Sequence, residues 1–241
     1  IYYYYKVTDN NSLSSMYPSN AEAATNPTRL SFGIYKPYSM VLDLTFEEGP
    51  TGDPVDHSPN NAKIVTRVQK EYSTDVPMGG GTYSWQVRSH PGIDIDSNWV
   101  EAVSPFLAVE EFTLDHWIKA DSADRHAVRW LINPSAETDW NNANFEMSFR
   151  NGAGGVPVVT ARYWNNDGTG ANTIQDTVPA TTAHVGKWRH IIIERSKTQF
   201  GMVIKDENNQ LLFRKVIDAA KPPLMAGAPL RIGRSWFDGT N

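Results

Sequence analysis

Apolar and polar residues alternate with a period of two along most of this chain, the spacing of pleated strands with one buried face. Between positions 38 and 48, Met40, Leu42, Leu44 and Phe46 fall on one side and Asp43, Thr45 and Glu47 on the other. This predicts a half-buried strand. The stretch from Gly186 to Ser196 differs. Trp188, His190 and Ile192 share one face, while Ile191, Ile193 and Arg195 share the opposite one. Both faces carry large or β-branched groups, which predicts a central strand covered on both sides and opened by a glycine turn. Three consecutive isoleucines speak against a helix there.

Further strands are expected at 63–68, 83–88, 111–119, 126–132, 144–150, 156–164, 172–177, 200–205, 211–216 and 230–232. Short turns separate the later ones, carrying Asn151-Gly152, Asp167-Gly168, Asn208-Asn209 and Ala226-Gly227. Many short strands without a long helical pattern indicate an antiparallel β-sandwich of the jelly-roll kind. No fixed-period repeat suggests a propeller or solenoid. Ile1–Val7 is a strand-former dense in tyrosine, read as an edge strand, with contact to a partner or a sugar as the alternative. Residues 8–37 turn polar and small and read as a connector. The sequence therefore divides into an arm, 1–37, and a single sandwich domain, 38–241.

Composition narrows the function classes. The 241 residues hold 40% hydrophobic positions, enough for a sizeable core, and eight Trp and ten Tyr supply stacking surfaces. A net charge of −5 with dispersed basic residues argues against nucleic acid as a partner. No apolar run is long enough for a membrane-spanning helix. Without cysteine, disulfides and thiolate metal sites are excluded. Gly79-Gly80-Gly81 is followed by no Lys-Ser/Thr and does not read as a phosphate loop.

Five segments in order resemble the concanavalin A-like jelly roll, in its laminin-G-like branch. They are Val41-Leu-Asp-Leu-Thr-Phe-Glu-Glu-Gly49, Asp56-His-Ser-Pro-Asn60, Glu111-Phe-Thr-Leu-Asp-His-Trp-Ile-Lys119, Gly186-Lys-Trp-Arg-His190 with Arg195-Ser196, and Pro229-Leu-Arg-Ile-Gly233 with Phe237-Asp-Gly239. Pro59 stands where the family usually has Gly. The cysteine-free variant is similar to domains of bacteriophage structural and tail-associated proteins. The resemblance implies a binding module on a virion or outside a cell. In the family a further strand follows the Phe-x-Gly segment. Here Ile1–Val7 is expected to fill that edge, from the same chain or a neighbouring copy, because an open edge invites aggregation.

Sugar binding needs an aromatic face beside amides or carboxylates, and loops are where such groups gather. Trp140-Asn141-Asn142, Trp164-Asn165-Asn166-Asp167 and Trp236 with Asp238 fit that composition; turn chemistry beside a packed Trp is the other reading. No cofactor is required by the sequence. Calcium takes clustered oxygens. Asp53, Asp56, Asn60 and Asn61 offer part of such a set, joined by Asp238 if the family's topology holds, with an Asx turn as the alternative. The histidines lack zinc-site spacing. Two carboxylate pairs, Asp94 with Asp96 and Glu111 with Asp115, share strand faces and read as solvated rather than catalytic. His190 reads as a core histidine with a hydrogen-bond partner.

The expected function is a non-enzymatic, lectin-like module recognising a glycan or a surface protein, with no catalytic residues. A purely structural capsid or tail component, oligomerising through the N-terminal strand, is the alternative, and a glycoside hydrolase a further one.

Overall fold

The computed structural model describes residues 5–8, 14–17, 32–36, 39–66, 70–86, 99–120, 125–131, 143–152, 155–178, 184–223 and 229–233. Their regular structure is antiparallel strand, apart from a 3-10 turn at Pro105–Leu107. Early in the chain lie β1 (Tyr5–Thr8), β2 (Ser14–Tyr17), β3 (Phe32–Lys36), β4 (Ser39–Leu44) and β5 (Lys63–Thr66). The short β6 (Tyr72–Ser73) and β7 (Ser84–Trp85) form a separate ribbon. β8 (Val100–Val103), β9 (Phe112–Lys119), β10 (Arg125–Leu131), β11 (Ala143–Asn151) and β12 (Pro157–Trp164) follow. The last are β13 (Ala171–Gln175), β14 (Trp188–Arg195), β15 (Gln199–Lys205), β16 (Leu211–Asp218) and β17 (Leu230–Ile232).

Two large sheets build the sandwich. One has six strands in the order β16-β15-β14-β9-β3-β4, the other seven in the order β13-β12-β11-β10-β17-β8-β5. The inner face of the first supplies Phe112, Leu114, Ile191, Ile193, Phe200 and Met202 to the core; the second supplies Phe145, Met147, Phe149, Ala161 and Tyr163. Edge-to-face ring pairs join the sheets at Phe112–Phe145 (5.4 Å) and Tyr163–Phe200 (5.0 Å). Such geometry sets the positive edge of one ring against the negative face of the other. A polar tie runs beside them. Buried Arg195 donates to the Tyr163 hydroxyl (3.1 Å) and to the Lys221 carbonyl (2.9 Å).

β14 is the central strand that its sequence predicts. It lies between β9 and β15, with Ile191, Ile192 and Ile193 all buried. Gly186 turns the chain into it at φ 75°, a left-handed conformation open to glycine without a Cβ clash.

Three expectations are corrected. The alternation from 38 to 48 ends early: β4 stops at Leu44, Val41 and Asp43 are as buried as Leu42, and Phe46 takes φ 58°. β4 is an edge strand buried on both faces, and the loop after it returns along its free edge, where Asp56 bridges to Leu44. The sandwich also begins before residue 38, since β3 inserts between β9 and β4. Finally, within the chain β1 joins neither large sheet. It pairs with β2 as a separate two-stranded sheet, Tyr5 opposite Tyr17, which satisfies its backbone groups. Residues 1–4 and the segment after residue 233 lie outside the described residues.

Candidate functional site

The outer face of the seven-stranded sheet is built differently from an ordinary solvated face. Along β11, Phe145, Met147 and Phe149 point into the core, so Asn144, Glu146 and Ser148 face outward, yet each is only 1% exposed. On β12, Arg162 and Trp164 share that outward face with Thr160. β11 is thus apolar on its inner face and polar on its outer one, with both faces covered.

Glu146 is the centre. Its Oε1 accepts from Arg150 and from Arg162, both at 2.6 Å. Arg150 also donates from Nε to Ser148 Oγ at 3.0 Å. The Arg162 guanidinium lies over the Trp164 ring, 4.3 Å from its centroid, which holds the planar fork flat. Three buried polar groups around this cluster find no hydrogen-bond partner: both amide atoms of Asn144, Thr160 Oγ1 and Arg162 Nε. A buried polar atom without a partner costs on the order of 1–3 kcal/mol. Several of them converging on one face mark a place where a polar ligand restores the lost bonds.

The strand register extends this centre into a row across the sheet. Glu101 of β8 stands opposite Arg231 of β17, Arg231 opposite Arg129 of β10, Arg129 opposite Glu146, Glu146 opposite Arg162, and Arg162 opposite Thr173 of β13. Arg231 donates to Glu101 at 2.6 Å and covers the Trp99 ring at 4.5 Å. At the ordinary interstrand spacing the row spans about 24 Å, perpendicular to the strands.

The expected site residues are distributed unevenly over this picture. Trp164 is half-buried and borders the centre. Asn165, Asn166 and Asp167 instead make the hairpin turn after β12. Asn165 Oδ1 accepts from the Asn172 amide (2.7 Å), and Asn166 N donates to the Pro222 carbonyl (3.0 Å). Asp167 binds Thr169 and pairs with Lys221 at 2.7 Å. The Lys221 and Thr169 donors hold its carboxyl below the usual carboxylate range. Trp140, Asn141, Asn142, Trp236 and Asp238 lie outside the described residues.

The candidate calcium residues do not converge. Asp56 is buried with four donors on its two oxygens, from Asp43 N, Ser58 N, Ser58 Oγ and Ala62 N at 2.6–2.9 Å. That is an Asx turn tying the 56–62 loop to β4. Asp53 pairs with Lys70 at 2.8 Å, and the Asn60 amide reaches the Met40 and Val41 carbonyls. As placed, these groups do not present clustered oxygens to a calcium ion. Among the described residues no group of three or more His, Asp or Glu side chains is gathered for a metal.

On the opposite side of the sandwich, His190 Nε2 and Asp115 Oδ1 are 2.6 Å apart, and the imidazole stacks on Trp117 at 4.9 Å. His190 is buried, with the hydrogen-bond partner its strand position predicts. Asp115 is therefore committed to it rather than to Glu111.

Sequence reasoning passed over Glu146, Arg150, Arg162, Glu101 and Arg231. One signal was present: the strand Asn144-Phe-Glu-Met-Ser-Phe-Arg150 keeps a wholly polar face where its neighbours read as core.

No family model matches the sequence, and no curated protein matches it. Solved structures do. Domain 4 of AbnA, an extracellular GH43 arabinanase from Geobacillus stearothermophilus solved with arabinotriose, is 12% identical at a TM-score of 0.40, covering 76% of this chain and 79% of that one. The enzymatically active domain of tailspike protein 2 from bacteriophage CBA120 is 14% identical at 0.46, covering 72% of this chain and 27% of that one. An alginate lyase from Klebsiella pneumoniae is 8% identical at 0.38, covering 88% and 89%. At this distance the likeness is one of β architecture, consistent with a concanavalin-like sandwich. It corrects the expectation of a non-enzymatic protein. The solved structures that share the architecture come from an arabinanase, a tailspike's active domain and a lyase, so the fold gives no ground for excluding catalysis.

Proposed function

We propose that this chain is a carbohydrate-active domain that takes a glycan in the groove over its seven-stranded sheet. The observation that carries this reading is the buried polar floor at Glu146, where Asn144, Thr160 and Arg162 keep unpartnered hydrogen-bonding atoms beside the Trp164 ring. Sugar rings bring what such a floor lacks: hydroxyls that donate and accept, and an apolar face for an aromatic. The row from Glu101 to Thr173 offers length for a chain of several rings.

Glu146 is the carboxylate placed for chemistry, its orientation set by two guanidiniums. Glu101 is three strand spacings away, about 14 Å. That exceeds the carboxylate separations of two-carboxylate glycoside hydrolysis, about 5–9.5 Å. Among the described residues of the row, Glu101 and Glu146 therefore do not form such a pair. An exterior location, on a virion or outside a cell, belongs to the same proposal, since polymeric glycans are met there.

Incubation with a panel of neutral and charged polysaccharides tests it, with retention in affinity electrophoresis and release of reducing ends as separate readouts. Retention lost in Trp164→Ala, and product release lost in Glu146→Gln with retention kept, are expected. Failure of folded protein to retain any glycan would overturn the proposal.

A further inference from the structure

Resting on that reading, we infer that the glycan is acidic and that the Arg162 guanidinium receives a carboxylate carried on one of its sugars. Arg162 is singular among the polar groups of the groove. Its terminal nitrogen holds Glu146 at 2.6 Å, while its Nε is buried and has no acceptor. A guanidinium carries five donors in a rigid fork and cannot shed its proton, so an unanswered buried Nε calls for an acceptor from outside. The Trp164 ring lies against the guanidinium, 4.3 Å from centroid to Cζ, and covers one face of the fork.

The charges around it point the same way. Glu146 already answers two cations, Arg150 and Arg162. Glu101, the other carboxylate of the row, is committed to Arg231 at 2.6 Å. The backbone register sets position 129, an arginine, opposite Glu146. The row carries arginine at three positions, 129, 162 and 231, on a chain whose net charge is −5. Asn144 and Thr160, also unpartnered, are neutral groups suited to hydroxyls. The floor thus combines one orphaned cationic donor with two orphaned neutral groups. A uronate ring offers the matching set: one planar oxyanion and several hydroxyls. The carboxylate's two oxygens match the flat guanidinium edge better than a tetrahedral sulfate does.

The experiment compares four polymers on the full chain: polygalacturonate, the same polymer with its carboxyl groups reduced to alcohols, a neutral β-glucan and a sulfated galactan. Polygalacturonate or another polyuronate should be retained, and carboxyl reduction should abolish retention. Arg162→Lys keeps the charge and the stem but loses the fork, and should weaken binding about tenfold. Arg162→Gln should weaken it further, with thermal melting confirming that each variant folds; Arg162→Lys alone suffices if the glutamine variant does not fold. Equal retention of the reduced polymer or the β-glucan would overturn the acidic-glycan inference while leaving the groove reading intact. Equal retention of the sulfated galactan would overturn the carboxylate assignment. Absence of retention for every polymer would overturn both.

Discussion

Arg189 donates from Nε to His184 Nδ1 at 3.1 Å, deep in the sandwich where both residues are almost wholly buried. An arginine nitrogen can only donate, so Nδ1 must be the accepting, unprotonated nitrogen of the ring. The ring's proton is then on Nε2, which stands 3.0 Å from Asp176 Oδ2 but out of line for a hydrogen bond. Asp176 itself is held by Val159 N (2.6 Å) and Val178 N (3.1 Å). Nitrogen-detected NMR on labelled histidine should therefore show the Nε2–H tautomer for His184. His184→Ala leaves the Arg189 Nε without an acceptor and should lower the unfolding free energy by about 2 kcal/mol in urea titration.

His116 supplies a pH dependence. Burial pushes its pKa down to about 3; the Asp115 charge opposes this and the His190 charge adds to it. In the unfolded chain the group titrates near its ordinary value, about 6.5. Between those two values the unfolded state binds the proton and the folded state does not, so stability is full above the upper value and falls as pH drops through the window. The slope approaches about 1.4 kcal/mol per pH unit. Urea unfolding between pH 6.5 and 5, where carboxylates are still charged, should show the decline, and His116→Leu should flatten it.

Asp56 should behave as a structural residue. Its four accepted hydrogen bonds hold the loop 56–62 against β4. Asp56→Ala strands three backbone donors and should cost about 3 kcal/mol or more. Thermal melting of the native chain with calcium and with chelator should give the same midpoint.

Gly81 is a close-approach position. A Cβ there would run into the Glu47 carboxylate, which accepts from Thr82 N (2.9 Å) and Tyr83 N (3.2 Å). Gly81→Ala should loosen the ribbon of β6 and β7. Faster limited proteolysis within 70–86, with the sandwich melting little changed, is the expected result. The Tyr72–Trp85 edge-to-face pair, 5.2 Å between centroids, would report the same loosening through tryptophan fluorescence.

The alternating pattern by itself determined that this chain is an antiparallel β-sandwich, because side chains on a strand must point to opposite faces by turns. β9, β11, β14 and β15 lie within a residue or two of where their periodicity puts them. Local chemistry also gave His190 its hydrogen-bond partner, while it left the Asp56 loop open between an Asx turn and a calcium site. Sheet membership was beyond reach: β3 sits in a stretch that reads as polar connector, and pairing with the backbones of β9 and β4 gives it a place. The groove was hidden for the same reason. Glu101, Arg231, Glu146 and Arg162 are far apart along the chain, and each alone looks like an ordinary charge on a strand. Register aligns them into one row, and burial brings their charges together as ion pairs; both are properties of packing between strands, which no single strand's sequence carries.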